Sequence, residues 1–281
     1  MLVLKTKREL RETLLNLHNS VDIGLVPTMG ALHFGHVSLI KKAIAENEQV
    51  VVSIFVNPTQ FNNVDDLKNY PQTLDADVRL ISTVSKNCIV FAPSVKEIYR
   101  EDIQHKKYDF AGLDKVMEGE FRDNHFNGVG TIVEALLRLV RPTRAYFGEK
   151  DFQQLRIIQK LTEVQKIPVK IVGCDIVRES HGLAMSSRNE RLSDVLRQKA
   201  GFIYETLNST KEQFGMESAT FIKDWVVRQF EENAFFTLEY FEITDVETLT
   251  PIKTKIENTK YRAFIAVYAD KVRLIDNIAL N

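Results

Sequence analysis

At residues 26–36 the chain reads Val26-Pro27-Thr28-Met29-Gly30-Ala31-Leu32-His33-Phe34-Gly35-His36, between an apolar run and a segment with helical spacing. This pattern predicts a buried strand, a turn with glycine and the start of a helix. At such a junction, free backbone N–H groups and the positive end of the helix dipole favour phosphate. Gly30 and Gly35 have no Cβ that would keep a nucleotide away from the backbone. The stretch therefore predicts a phosphate site at the carboxyl edge of an α/β sheet.

Strand and helix signals alternate through the first 175 residues. Most of the predicted strands are continuous apolar runs, which are typical of a parallel sheet covered on both faces. The predicted helices have apolar residues three and four positions apart. We therefore expect a Rossmann-like, doubly wound α/β domain. The predicted strands are 23–27, 50–56, 88–92, 144–147 and 169–174, and the predicted helices are 37–48, 74–84 and 152–165.

The order of the predicted elements changes after residue 176. Helices are followed there by strands without crossover helices, which favours a small α+β domain with an antiparallel sheet. We therefore expect two domains, 1–176 and 177–281, that share an interface because no flexible linker separates them. Clefts between domains are favoured sites for small ligands. The predicted C-terminal elements are helices 192–208 and 218–233 and strands 237–243, 263–268 and 272–275.

Composition limits the classes of partner. With 37 basic and 38 acidic residues, the formal charge is −1, so no excess of positive charge favours nucleic acid. The chain contains no apolar run long enough to span a membrane, and residues 1–9 contain no apolar segment of signal-peptide length. We therefore expect a soluble, intracellular protein. Cys88 and Cys174 lie in apolar runs, which favours buried thiols over a disulfide, a metal site or a nucleophile.

A second polar motif, Gly182-Leu183-Ala184-Met185-Ser186-Ser187-Arg188-Asn189, follows the apolar run at 169–177. Its two hydroxyls and its guanidinium can hydrogen-bond phosphate oxygens, and Arg188 offers several donors in one plane. A serine-rich helix cap is the alternative interpretation. The motif H-x-G-H upstream, which is His33-Phe34-Gly35-His36, favours the phosphate interpretation.

Two further strand ends have polar side chains. Proline cannot continue a central ladder, so the strand before Asn57-Pro58 ends there and Asn57 and Gln60 fall at the carboxyl edge. Carboxamides suit a substrate with hydroxyls beside a carboxylate, although an ordinary Asn-Pro turn is the alternative. The run Phe147-Gly148-Glu149-Lys150-Asp151-Phe152-Gln153-Gln154 also joins a strand to a helix. Its candidates are Lys150 and Gln154, and a solvated helix start explains the charges equally well.

In this order, five motifs closely resemble the pantoate–β-alanine ligase family, also called the pantothenate synthetases, of the H-x-G-H nucleotidyltransferase superfamily. The motifs are P-T-M-G-A-L-H-x-G-H, F-V-N-P-x-Q-F, Y-P-x-T-L-x-x-D, F-G-E-K-D-x-Q-Q-L and G-L-A-M-S-S-R-N, between about residues 25 and 192. The resemblance implies an enzyme that condenses pantoate with β-alanine through a pantoyl adenylate, using ATP and Mg²⁺ and releasing AMP and pyrophosphate. It also implies a cytoplasmic homodimer whose smaller C-terminal domain closes over the site.

The resemblance implies site residues by matching position. Those implied for catalysis are His33, His36, Lys150 and Arg188, where we favour electrostatic stabilisation over proton donation by His36. Those implied to bind ATP are Met29, Gly30, Ala31, Leu32, His33, Phe34, Gly35, His36, Gly148, Glu149, Lys150, Asp151, Val177, Met185, Ser186, Ser187 and Arg188. Gln60 and Gln154 are implied to bind pantoate, and Gln60 also β-alanine, with Asn57 beside them. Asp77 is a weaker candidate for the metal region.

The chain departs from the family pattern at several positions. Phe34 stands where an acidic residue is usual, Gln72 replaces an Arg, and His181 replaces an Asp. Asp123-Asn124 stands where the motif R-P-G-H-F has proline and glycine, which changes backbone freedom. We expect that last departure to affect subunit contacts or the access of β-alanine.

Two alternatives remain open. One is another nucleotidyltransferase of the superfamily, acting on a nicotinamide or pantetheine substrate, which would lack the two carboxamide motifs. The other is a catalytically silent nucleotide-binding regulator, which would have lost His33, His36, Lys150 or Arg188. The chain retains all four.

Overall fold

The computed structural model describes residues 1–15, 17, 21–62, 64–100 and 102–281. The chain forms two compact units. Unit 1 comprises Met1–Asp114, Glu118–Glu149 and Gln154–Asp175, and unit 2 comprises Lys115–Met117, Lys150–Gln153 and Ile176–Asn281. The sequence gives no sign that the two short segments group with unit 2, and the predicted division after residue 176 stays a prediction.

Among the described residues, the strands up to residue 174 form one six-stranded sheet in which every pair is parallel. In chain order they are β1 (Leu2–Leu4), β2 (Ile23–Thr28), β3 (Gln49–Ile54), β4 (Ile89–Phe91), β5 (Arg144–Gly148) and β6 (Lys170–Cys174). The helices of this part of the chain are α1 (Lys7–Leu15), α2 (Phe34–Glu46), α3 (Val64–Lys68), α4 (Leu74–Ser82), α5 (Val95–Tyr99), α6 (Glu118–Phe121), α7 (His125–Val140) and α8 (Phe152–Val164).

The strand order β1-β4-β3-β2-β5-β6 reverses direction between β2 and β5. This confirms the doubly wound α/β prediction and makes the β2–β5 boundary the topological switch point, where ligands bind in such sheets. Pairing between these two strands ends at Leu25, two residues before Pro27, which has no N–H for a ladder. The loop that begins at Met29 and the end of β5 at Gly148 therefore leave the sheet at the switch point.

The continuous apolar runs are buried, as predicted. Ile23, Leu25 and Val26 of β2 are at most 1% exposed, and α2 packs on the sheet through buried apolar residues. Cys88 and Cys174 lie in the same core as β2. Burial raises the pKa of Cys174 to about 11, which keeps this thiol protonated at neutral pH.

Unit 2 contains an antiparallel sheet whose three strands pair in chain order, which confirms the predicted α+β character of the C-terminal part. The predicted helix 192–208 is two helices that meet at Ala200. A Cβ at Gly201 would lie 2.3 Å from the His181 carbonyl oxygen, so only glycine allows this close approach. The elements are α9 (Asp194–Lys199), α10 (Gly201–Phe214), α11 (Ala219–Glu231), β7 (Phe236–Asp245), β8 (Tyr261–Ala269) and β9 (Val272–Ala279).

The sequence-based predictions omit β1, α1, α3, α5, α6 and α7. Helix α7 is buried on most of its surface. Its interior glycines and β-branched residues also have low helix propensity. Within the described ranges, no helix is both long and apolar enough to cross a membrane.

Candidate active site

The loop between β2 and α2 has an uncommon backbone. Gly30 and Ala31 both have positive φ, +82° and +49°, and Ala31 is a residue that pays a steric penalty there. The buried carboxylate of Asp77, on α4, accepts hydrogen bonds from the Ala31 and Leu32 amides at 3.1 and 2.8 Å. Thr28 Oγ1 accepts from the Gly30 amide at 3.2 Å. These bonds hold the loop in the conformation that leads into α2.

The two histidines of H-x-G-H are held by the helix start. His33 is the N-cap of α2, and its Nδ1 accepts from the Gly35 amide at 3.1 Å. His36 Nδ1 accepts from the His33 amide at 3.3 Å, and the two ring centroids are 4.1 Å apart. A nitrogen that accepts cannot also hold the proton, so the neutral rings have their N–H at Nε2.

The Asp77 carboxylate is already engaged inside the loop. Besides the two backbone amides, its Oδ1 accepts from Thr73 Oγ1 at 3.3 Å. No group of three or more His, Cys, Asp or Glu side chains that could hold a metal ion occurs among the described residues. The geometry therefore favours a loop-holding role for Asp77 over the predicted metal-binding role.

Asn57 and Gln60 come together where β3 ends. Asn57 is 1% exposed, and its Nδ2 donates to Gln60 Oε1 and to the Gly128 carbonyl, both at 3.1 Å. Its Oδ1 accepts from Thr59 Oγ1 at 3.0 Å and from Tyr99 OH at 2.5 Å. With both donors and the acceptor used by the protein, Asn57 orients Gln60 better than it could contact a substrate. The predicted contact of Asn57 with the substrate stays a prediction.

Gln60 is also held from two other sides. Its Nε2 lies 2.8 Å from Met29 Sδ, which connects it to the loop after β2. Its backbone carbonyl lies 2.8 Å from His125 Nδ1, a buried ring nitrogen that must have a proton to donate to a carbonyl. A Cβ at Gly128 would lie 2.2 Å from the Thr59 carbonyl oxygen, so α7 lies against the 3-10 helix Pro58–Gln60.

The unusual residues Asp123 and Asn124 fit this arrangement. Asn124 has φ +55°, the left-handed conformation that glycine adopts without strain and that asparagine tolerates better than most other residues. Asparagine can thus occupy the glycine position of R-P-G-H-F with this backbone conformation. The carbonyl of Asp123 accepts from Asn62 Nδ2 at 2.5 Å, a further contact between this turn and the segment after Gln60.

The end of β5 presents Gly148, Glu149 and Gln154. A Cβ at Gly148 would meet nothing within 4 Å, so the space beside this backbone is open. Glu149 lies beside Gly173 of β6, with Oε1 3.2 Å from where a Cβ would stand. Gln154 is half-buried in the first turn of α8.

In unit 2, the Lys150 side chain is 19% exposed and its Nζ lies 3.6 Å from Asp151 Oδ1. The Val177 carbonyl accepts from the Met185 amide at 2.9 Å, which closes a short hairpin. Ser186 Oγ accepts from the Arg188 amide at 3.2 Å and caps the 3-10 helix Ser187–Arg191, as the cap interpretation predicts. The cap orders the backbone from which Ser187 and Arg188 extend.

Sequence reasoning missed Tyr99, His125, Gly128 and the structural role of Asp77. Each contacts a predicted site residue from more than 35 positions away, so local patterns do not reveal the contact. One usable signal is Gly128 itself, since a glycine inside an apolar helical pattern indicates close packing.

The chain is similar to pantothenate synthetases in sequence. The model of the family described as pantoate-beta-alanine ligase matches residues 2–279. The pantothenate synthetase of Christiangramia forsetii is 55% identical over 260 residues, which cover 92% of each chain. That of Phocaeicola vulgatus is 51% identical over 289 residues, which cover 99% of each.

The chain is also similar to solved structures of pantothenate synthetases. The crystal structure of pantothenate synthetase from Thermus thermophilus has a TM-score of 0.92 and 37% identity, covering 100% of this chain and 99% of that one. The pantoate-beta-alanine ligase from Francisella tularensis, crystallised with beta-gamma ATP and beta-alanine, has a TM-score of 0.82 and 35% identity. It covers 100% of this chain and 98% of its own.

Proposed function

This chain belongs to the pantoate–β-alanine ligase family, and we propose that the residues described above catalyse its reaction. The enzyme condenses pantoate with β-alanine, using ATP and releasing AMP and pyrophosphate, through a pantoyl adenylate. The observation that carries the assignment of residues is the loop at the sheet's switch point, where His33 and His36 begin α2 and Met29 touches Gln60. The proposal joins a phosphate site and an acid-binding site at one edge of unit 1.

The first step activates the acid. A carboxylate is a poor acyl donor because its oxygen is too basic to leave. The pantoate carboxylate therefore attacks the α-phosphorus of ATP, the bond from that phosphorus to the bridging oxygen breaks, and pyrophosphate leaves. Charge then spreads over the phosphate oxygens, where preorganised donors stabilise it. We assign this role to the Nε2–H groups of His33 and His36, the N-terminus of α2, Lys150 and Arg188. The remaining ATP-binding residues are proposed as the resemblance implies them.

The second step forms the amide. The β-alanine amine attacks the adenylate carbonyl and AMP leaves, so no protein nucleophile is required. Gln60 and Gln154 are the proposed contacts to pantoate, because uncharged carboxamides can bind both hydroxyl and carboxylate groups. Asn57 and His125 form hydrogen bonds with Gln60 and hold it in place. Tyr99 in turn donates a hydrogen bond to Asn57.

Mg²⁺ is proposed to bind with ATP. The residues of this chain fit a metal held mainly by phosphate and water oxygens, since Asp77 is engaged by the loop and no converging set of protein ligands occurs among the described residues. When bound, Mg²⁺ would neutralise part of the negative charge on the phosphates.

We also infer the homodimer and the cytoplasmic location that the resemblance implies. A mass in solution of twice one chain, measured by light scattering, would support the dimer, and a mass of one chain would contradict it. Fractionation of the native host would test the location.

The reaction is tested by pyrophosphate exchange. We expect labelled pyrophosphate to enter ATP when pantoate is present and β-alanine is absent, because the adenylate forms reversibly in the first step. AMP should accumulate only when both pantoate and β-alanine are added. Enzyme that makes AMP in the complete mixture but shows no pantoate-dependent exchange would contradict a reversible adenylate.

A further inference from the structure

Two adjacent residues of β9 are buried, polar and absent from every motif described above. Asp276 is 4% exposed and Asn277 is 1% exposed. Burying polar side chains costs free energy unless they form hydrogen bonds, so the destination of those bonds indicates what the residues do. Both sets of bonds lead to segments that are proposed to bind ATP.

Asn277 holds the backbone of Lys150. Its Nδ2 donates to the Lys150 carbonyl at 2.8 Å, and its Oδ1 accepts from Arg262 Nη1. The Arg262 guanidinium in turn lies over the ring of Phe152, 3.9 Å from its centroid. Rotation of the Asn277 side chain would break both hydrogen bonds, so the amide fixes the main chain at Lys150.

Asp276 holds the hairpin that begins at Val177. Its carboxylate accepts two hydrogen bonds from Arg178, Nη1 to Oδ2 at 2.5 Å and Nη2 to Oδ1 at 3.0 Å. Arg178 also donates to the Gly182 carbonyl at 3.1 Å and lies over the Tyr204 ring at 3.7 Å. The guanidinium is thereby fixed in the hairpin that leads to Met185 and the Ser186–Arg188 run.

We propose that Asp276 and Asn277 are positioning residues for ATP, with Asn277 placing Lys150 and Asp276 placing the hairpin from Val177 to Met185. This inference rests on the proposed function of those two segments. It extends that function because it assigns a role in adenylation to a strand in which no residue is proposed to bind ATP. A lysine displaced by about 1 Å can lose much of its effect on a transition state, which is why such support matters.

Asn277→Asp tests the role of Asn277. The new carboxylate can still accept from Arg262, but it has no donor and places an oxygen against the Lys150 carbonyl. We expect pantoate-dependent pyrophosphate exchange to fall about 10- to 100-fold and the KM for ATP to rise, while the KM for pantoate stays unchanged. Exchange at the wild-type rate would overturn the proposal.

Asn281→Asp is the control for the loss of an asparagine-to-carbonyl hydrogen bond at an exposed position. Asn281 donates from Nδ2 to the Thr259 carbonyl at 2.8 Å and accepts at Oδ1 from the Tyr261 amide at 2.8 Å. The substitution therefore removes the same kind of bond, near the end of β9 but away from Lys150. We expect exchange near the wild-type rate in this variant, and an equal loss in both variants would overturn the specific role of Asn277.

A double-mutant cycle separates positioning from a merely structural effect. If Asn277 acts through the Lys150 side chain, Asn277→Asp should add little to the loss caused by Lys150→Ala. The same fold loss in both backgrounds would overturn the proposal. If the melting curve shows that Asn277→Asp is unfolded, the cycle is run with Asn277→Ser, whose shorter side chain cannot reach the Lys150 carbonyl. Lys150→Ala with full exchange would instead contradict the assignment of Lys150 under the proposed function.

Discussion

The imidazoles of His33 and His36 form part of the start of α2, and they are also the proposed donors to phosphate. Each Nδ1 accepts a backbone amide, which directs the ring proton to Nε2. A ring with its proton at Nε2 donates a hydrogen bond to a phosphate oxygen without having to give up the proton. This geometry is the one that the proposed electrostatic role of His36 requires.

Two substitutions at His36 separate its functions. In His36→Asn, the amide oxygen can replace Nδ1 as acceptor for the His33 amide, but nothing occupies the place of Nε2. We expect pyrophosphate exchange to fall about 10²- to 10³-fold with little change in Tm, because one preorganised donor is lost. His36→Gln, whose amide reaches the Nε2 position, should recover part of the rate. Full exchange in His36→Asn would show that the Nε2 donor is dispensable.

Asp77 allows the metal-binding and loop-holding roles to be distinguished. Asp77→Asn keeps the size of the side chain, but its amide can no longer accept from both Ala31 and Leu32. We expect a lower Tm and slower exchange, with an unchanged Mg²⁺ concentration for half-maximal rate. A large rise in that Mg²⁺ concentration at unchanged Tm would instead support the metal-binding role.

Helix α7 determines where Gln60 lies. Its first turn contributes His125 to the Gln60 carbonyl and Gly128 to the Asn57 amide. The helix therefore positions a proposed substrate contact. It also explains how Asn124 can occupy the glycine position of R-P-G-H-F, since the left-handed turn before α7 is preserved.

Gly128→Ala tests this packing. The added Cβ would lie 2.2 Å from the Thr59 oxygen and 2.8 Å from the Gln60 nitrogen, so α7 and the loop must separate. We expect a loss of about 1–3 kcal/mol in unfolding free energy and a raised KM for pantoate, with the KM for ATP less affected. Gly215→Ala is the control, because a Cβ there meets nothing within 4 Å. Equal KM values for pantoate in Gly128→Ala and wild type would contradict this role of α7.

The features of the fold and of the candidate site that could be predicted from the sequence are those that local sequence patterns specify. The burial of β2 follows from its apolar run, and the order of motifs identifies the family. Contacts such as Asp77 with Leu32, or Asn277 with Lys150, join residues 45 and 127 positions apart, and no local period encodes them. The support that Asn57 gives to Gln60 could not be predicted for the same reason, because its partners Tyr99 and Gly128 are distant in sequence.

The same kind of distant contact couples overall stability to pH through Glu134. This buried carboxylate on α7 accepts from Lys106 Nζ, Tyr108 OH and Arg138 Nε at 2.7 to 2.9 Å. Burial alone would raise the pKa of Glu134, but these hydrogen bonds outweigh it and lower the pKa from 4.5 to about 2. The carboxylate therefore stabilises the folded state fully above pH 4.5, and this contribution disappears as the pH falls towards 2.

Glu134→Gln should remove this contribution. We expect the variant to be less stable than wild type by on the order of 2 kcal/mol at pH 7, because it loses charge-assisted hydrogen bonds. The difference should narrow between pH 4.5 and pH 2, since the wild-type carboxylate is then progressively protonated. Urea unfolding at pH 7, 5 and 3 measures the difference in unfolding free energy between the variant and wild type. Glu212→Gln, on the exposed face of α10, is the control. A difference that stays constant across this range would mean that the ionisation of Glu134 does not contribute to stability.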